Sequence, residues 1–228
     1  MFEGNKLKIR KAEIEDIPQI LEVEKVAWGE ERAATFEVFK SRINTFPEGT
    51  MVALIDKKIV GVISTEKINY DLQKNTLSWY EATDNGFIAK THNPKGDTLY
   101  GVDLSVDPSY QNIGIGRKLM ESVGKLAIKY NLKQGVLGGR IPNYYKFANK
   151  IKIEDYIKLK EGERNDIPPD PELLFYRKEY WKIGLKVVKI IPNYFKDPES
   201  LNYGVLLAWK NPFYNKWYRL IVAKFFKA

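Results

Sequence analysis

Two adjoining stretches constrain this chain more than any others: Tyr100-Gly101-Val102-Asp103-Leu104-Ser105-Val106-Asp107-Pro108, and then Gln111-Asn112-Ile113-Gly114-Ile115-Gly116. The first reads as a strand stopped by proline. Beyond the glycines, apolar residues recur at Ile115, Leu119, Val123, Leu126, Ala127 and Tyr130, the spacing of a helix, and Asn131 supplies a C-terminal stop. A glycine-bearing turn therefore delivers a strand into a helix N-terminus. Free backbone N–H groups point outward there and the helix dipole adds partial positive charge, which suits a phosphate or pyrophosphate. A Cβ in such a turn would hold a bulky diphosphate away from the amides. An ordinary strand, turn and helix with two turn glycines would leave the same trace, so the neighbouring residues have to decide.

Two better-known glycine motifs do not match. Gly114 and Gly116 are followed by Arg117-Lys118-Leu119, so the third glycine of a dinucleotide fingerprint is missing, and no Gly-Lys-Ser/Thr ending is present. The stretch instead resembles the Q/R-x-x-G-x-G/A signature of the GNAT N-acetyltransferase superfamily, preceded by that family's Leu104-x-Val106-x-Pro108 strand ending. The resemblance covers roughly residues 7–210. It implies an α/β fold with a mixed, mostly antiparallel central sheet flanked by helices on both faces, and acetyl-CoA as acetyl donor. Gln111, Asn112, Ile113, Gly114, Ile115 and Gly116 would cradle the pyrophosphate. Leu104 and Val106 would pair with the pantetheine arm. A narrower likeness, to GNAT modules fused to nitrilase-type carbon–nitrogen hydrolases, rests on Gly139-Arg140-Ile141-Pro142-Asn143-Tyr144, Ile191-Pro192-Asn193-Tyr194 and Asp197-Pro198-Glu199-Ser200. It adds such a hydrolase, alongside a homodimer, as a candidate partner. The repeated Ile-Pro-Asn-Tyr also has a plainer reading, two strands ended by Pro-Asn turns.

Composition sets the outer limits. With 228 residues, 44% hydrophobic and 29% charged, the chain suits one sizeable soluble α/β core. It has no cysteine, which excludes disulfides, zinc–thiolate sites and thiol catalysis and fits the cytoplasm. Met1 to Lys6 lacks the apolar core of a signal peptide, and no apolar run approaches the ~20 residues of a membrane span. A net charge of +8 calls for an anionic partner. Coenzyme A is one, whereas the scattered basic residues match no nucleic-acid module.

Along the chain, Lys8–Ala12 reads as a strand, and Asp16 as the cap of a helix with Pro18 in its first turn. A short helix is expected from Thr35 to Arg42. A hairpin is expected between Met51–Ile55 and Ile59–Thr65, around Asp56-Lys57-Lys58. Trp79–Asp97 is turn-rich, and Val136-Leu137 opens a fifth strand. Residues 142–170 form an insertion with a charged helix near Glu154–Glu161. Asp170-Pro171 starts a helix stopped by Gly184. Leu185–Ile191 and Tyr203–Trp209 close the sheet. The whole reads as a single domain over 7–210, with an aromatic and basic tail over 211–228.

The resemblance also assigns chemistry: direct transfer of acetyl to a primary amine of a small molecule or peptide. The Val106 amide would stabilise the tetrahedral oxyanion. Tyr180, in Tyr180-Trp181-Lys182-Ile183-Gly184-Leu185, would protonate the departing thiolate, although the asparagine usual about seven residues earlier is Leu173 here. No base declares itself. Glu81 comes first, a water chain is equally open, and His92 is the only histidine. Arg117 and Lys118 are placed to meet phosphates, or to face solvent. Arg140 and Tyr144 follow the fifth strand, where the acceptor arrives, and Arg140 would suit an acceptor carboxylate. No metal is implied. The rival reading is a silent coenzyme A-binding module that regulates or docks a partner.

Overall fold

The computed structural model describes residues 7–178 and 184–225. Seven strands form one mostly antiparallel sheet in the order β1-β2-β3-β4-β5-β7-β6, where β1 is Lys8–Lys11, β2 Thr50–Ile55, β3 Lys58–Ile68, β4 Thr98–Val106, β5 Gln134–Gly139, β6 Lys186–Ile191 and β7 Gly204–Lys210. The helices are α1 (Ile17–Trp28), α2 (Phe36–Thr45), α3 (Trp79–Thr83), α4 (Ile115–Lys129), α5 (Ile153–Tyr156), α6 (Pro171–Arg177) and α7 (Arg219–Phe225). This is the α/β architecture that the GNAT resemblance implies. The chain divides into two compact units. The first takes the residues up to Asn69, Thr83–Gly135 and those from Asn211 onward, and the second takes Tyr70–Ala82 and Val136–Lys210.

In the first unit β2 and β3 form the expected hairpin, turning at Asp56 and Lys57 with φ of 48° and 70°. Two left-handed residues give a two-residue loop whose twist matches the strands. β3 then pairs antiparallel with β4, setting Ile63 opposite Leu104 and Gly61 opposite Val106. Because side chains alternate along a strand, the two faces are covered by different helices. Val62 joins Ile17, Ile20 and Val23 of α1 and Phe39 and Ile43 of α2 in one core. A Cβ on Gly61 would meet Ile115 and Leu119 of α4 at 3.1 and 3.2 Å. Asp16 stands at the expected boundary, but its carboxylate does not cap α1. It accepts from Arg10 Nη2 at 2.8 Å and from the Glu13 N–H at 2.8 Å.

In the second unit β6 and β7 pair antiparallel, as expected. Asp170 caps α6, accepting from the Glu172 and Leu173 N–H groups at 3.0 and 3.3 Å, with Pro171 in the first turn. Residues 179–183, including the turn expected before Gly184, lie outside the described residues. The helix expected over Glu154–Glu161 shrinks to the four residues of α5. Ile153 and Tyr156 bury, whereas 160–164 is exposed and Gly162 turns left-handed at φ 74°. So short a helix has no stability without a packed face. Both Ile-Pro-Asn-Tyr copies end a strand and bury their tyrosines, Tyr144 and Tyr194. The Tyr194 ring fills the space that a Cβ on Gly138 or Gly204 would need, which explains both glycines.

Candidate active site

β4 ends at Val106, and Pro108–Tyr110 forms one 3-10 turn whose first free N–H is met by Asp107, which accepts from Ser109 at 2.9 Å. Gln111 then folds its side chain back, donating from Nε2 to the Val106 carbonyl at 3.2 Å. The first residue of the motif therefore pins the turn to the strand end. Asn112 and Gly114 take left-handed φ values of 64° and 92°. Gly114 is the N-cap of α4, and a Cβ there would meet nothing within 4 Å, so glycine is needed for its backbone conformation and not for room. Residues 111–114 are exposed, and the N–H groups of the first turn of α4 have no acceptor inside the helix. No acidic residue lies in that turn. Arg117 and Lys118 follow, both drawn to the buried Glu121 carboxylate, at 2.8 and 3.2 Å. The result is an exposed, cationic cradle at a helix N-terminus, able to receive a phosphate or diphosphate.

The other face of β4 carries a layer of charge that sequence reasoning missed. Asp103 and Ser105 point toward α1 and α2, together with Ser64 and Glu66 of β3. Arg42 of α2, 1% exposed, donates from Nε to the Gly86 carbonyl at 2.7 Å and from Nη1 to Asp103 at 3.2 Å. The Trp28 indole donates to the Ser105 hydroxyl at 2.7 Å. Glu24, 2% exposed, accepts a long 3.4 Å bond from the Ala34 N–H, and its Oε1 finds no hydrogen-bond partner. Glu66 accepts from the Thr91 hydroxyl at 2.8 Å, and its Oε1 is likewise unpartnered. Burial, reinforced by the Asp103 charge, pushes Glu24 up to about 8. Burial, with a lesser push from the Asp84 charge, drives Glu66 up to about 8, against the pull of Thr91 and Arg42. One signal was available. Ile17, Ile20 and Ala27 form a helical stripe, and Glu24 occupies the place in it where an apolar residue belongs.

The remaining expected residues are placed as follows. Glu81 is exposed, and its carboxylate accepts from the Ser78 N–H and hydroxyl at 2.8 and 2.7 Å, bonds that hold it below the usual carboxylate range. Arg140 grips Asp197 through two bonds of 2.7 and 3.0 Å and reaches Glu199 at 2.7 Å. Tyr144 is buried, its hydroxyl donating to the Ile151 carbonyl at 3.4 Å. His92 stacks on Phe46 at 4.8 Å, and its Nδ1 accepts from the Lys67 N–H; burial, with Lys67 nearby, holds it below the usual imidazole value. Tyr180 lies outside the described residues. Val106, Gln111 and the turn up to Lys118 are thus gathered in the first unit, while Glu81, Arg140 and Tyr144 belong to the second.

Comparison with known proteins bears on the family and the fold. The sequence model of the acetyltransferase (GNAT) family matches residues 14–144. An uncharacterized N-acetyltransferase of Bacillus subtilis, YkwB, is 40% identical over 194 residues, covering 85% of this chain and 79% of its own. A probable hydrolase of the same organism, YhcX, is 34% identical over 207 residues, covering 90% of this chain but 39% of its own length. Among solved structures, the loading GNATL domain of CurA from Lyngbya majuscula superposes with a TM-score of 0.73 at 23% identity, over 91% of this chain and 98% of that domain. The GphF GNAT-like decarboxylase superposes with 0.72 at 24%, over 90% and 99%. These two attest the fold. With the family model covering more than half of the chain and a relative at 40% identity matched over 79% of its own length, this protein belongs to the GNAT family and is an acetyltransferase enzyme.

Proposed function

We propose that the enzyme transfers acetyl from acetyl-CoA directly to a primary amine of a small molecule or peptide. The observation that carries this reading is the left-handed Gly114 turn, which opens α4 toward solvent with Arg117 and Lys118 in its first turns. A coenzyme diphosphate would rest on the amides from Asn112 to Gly116, and Leu104 and Val106 would run beside the pantetheine arm. The amine nitrogen attacks the thioester carbonyl carbon, and the oxyanion formed is stabilised by the Val106 amide. The C–S bond then breaks, the thiolate takes a proton from Tyr180, and the ammonium adduct releases one to a base. Glu81 suits that last role in being ionised, and Glu24 in having its pKa near neutral pH. The YkwB name supports an amine acceptor.

A second reading has support of its own. Glu81 and Arg140 are both engaged in structural bonds, and YhcX carries much chain beyond the shared part under the name of a hydrolase. A coenzyme A-binding module that docks such a partner would show those features. Calorimetry and turnover separate the two. Coenzyme A should bind the native protein, and Gly116→Glu should abolish binding by placing bulk and negative charge at the diphosphate. In a screen of amines and peptides, Tyr180→Phe should keep coenzyme affinity within a few-fold while single-turnover transfer falls at least ~10²-fold. Unchanged affinity in a folded Gly116→Glu variant would sink the cradle. Tight binding with no acceptor found would favour the docking module.

A further inference from the structure

α7 is mounted with its apolar side outward. Ala223 is buried, and the helix packs on α4. Yet Trp217 is 83% exposed, Leu220 48%, Ile221 50% and Phe225 73%. Within α7, Leu220 and Ile221 stand side by side and Phe225 lies one turn beyond Ile221, while Trp217 stands in the turn that leads into the helix. A surface helix ordinarily does the opposite, facing its apolar stripe inward and its charges outward. Charge distribution says what covers this side. From Leu201 to Ala228 there are Lys210, Lys216, Arg219, Lys224 and Lys227 and no aspartate or glutamate. At the average density of the chain, a stretch of that length would hold about three or four acidic residues.

We propose that the exposed side of the 214–225 segment docks the protein peripherally on an anionic lipid surface. Tryptophan and phenylalanine settle at the headgroup boundary, leucine and isoleucine enter the acyl region, and the flanking lysines meet lipid phosphates. A second copy of the same face fits worse, because it would oppose two basic segments with no carboxylate in either. A polynucleotide would use the cations and stack on the rings, but it offers nothing to Leu220 and Ile221. Among the described residues no helix is long and apolar enough to cross a membrane, which is consistent with attachment at the surface.

Co-flotation of the full chain with lipid vesicles tests this. Vesicles with about 30 mol% phosphatidylglycerol in phosphatidylcholine should carry the protein at about 0.1 M salt. Pure phosphatidylcholine, or about 0.5 M salt, should reduce the bound fraction at least ~10-fold. The double variant Trp217→Ser/Phe225→Ser should lose flotation to the same degree, with an unchanged melting temperature because both side chains are exposed. Lys216→Glu/Lys224→Glu should do likewise. Absence of flotation, equal flotation on uncharged vesicles, or undiminished flotation of the double variant would each overturn the proposal. So would a dimer in light scattering that the double variant dissociates, which assigns the face to a second copy, or tight RNA binding that the lysine variant abolishes.

Discussion

Each compact unit sets a guanidinium among carboxylates, and the two do it differently. In the second unit Arg140 holds Asp197 in a two-pronged grip, meets Glu199 and lies 3.5 Å from Glu172. Asp197 is itself braced, since its carboxylate also accepts from the Ser200 hydroxyl and its N–H donates to Asn202 Oδ1. In the first unit Arg42 meets one carboxylate, Asp103, and spends its strongest bond on a backbone carbonyl. Glu24 and Glu66 stand nearby, each with an oxygen that nothing satisfies. A buried polar network with every member paired makes a rigid joint. One left short of partners holds carboxyls protonated near neutral pH, ready to exchange a proton. The Arg140 network is a staple, whereas the Arg42 network keeps two carboxyls of raised pKa.

The largest effect should come from breaking the staple. Arg140→Ala leaves the Asp197 carboxylate, whose side chain is 1% exposed, without its cation. Urea unfolding should show a loss of about 3–5 kcal/mol, with Arg140→Lys recovering only part because an ammonium cannot grip both oxygens. Coenzyme A affinity of the surviving folded protein should be unchanged. A large loss of affinity with little loss of stability would mean that Arg140 serves a ligand instead.

The next effect sharpens the other half of the comparison through pH. Glu24 and Glu66 hold protons in the fold that the unfolded chain sheds near 4.5, because burial lifts both to about 8. The folded state therefore binds more protons between those values. Stability falls as pH rises through that window and levels off above about 8. Each group contributes a slope of at most about 1.4 kcal/mol per pH unit. Glu24→Gln and Glu66→Gln should each flatten the profile and be more stable than the native protein at pH 8. Parallel profiles for native and variants would show that neither carboxyl is raised.

The smallest effect concerns Glu81. Ser78 and Glu81 exchange bonds as a helix-start pair, so Ser78→Ala should cost about 0.5–1 kcal/mol by thermal melting. Glu81→Gln should cost no more in stability. If Glu81 takes the acceptor proton, transfer should also drop at least ~10²-fold in Glu81→Gln and hold nearly steady in Ser78→Ala. Equal, slight losses in both would leave Glu81 as a helix-start residue alone, and attention would pass to Glu24.

Legibility followed the range of the forces. The turn at Gly114, the hairpin at Asp56-Lys57 and the Asp170-Pro171 start of α6 are local: a few residues decide backbone angles and caps, so motif and element could be read directly. Asp16 shows the limit of that approach. Its place at the helix boundary was legible, but Arg10 drew its carboxylate away from the cap. The 154–161 helix failed for a related reason, since charge pattern alone does not supply a face to bury.

By itself the sequence determined the strand–turn–helix cradle, the strand order along the chain and the family, because each rests on residues close in sequence and on periodicities of 2.0 and 3.6. Only the tertiary structure decided which charges share a site. Glu24 and Arg42 interrupt the apolar stripes of two helices, and Asp103, which pairs with Arg42 and repels the charge of Glu24, lies 61 residues beyond Arg42. Arg140 looked available for a ligand until the chain 57 residues on delivered Asp197 to it. A side chain's charge is written in the sequence. Whether that charge is spent or kept depends on desolvation and on partners, and both arise only when distant segments pack.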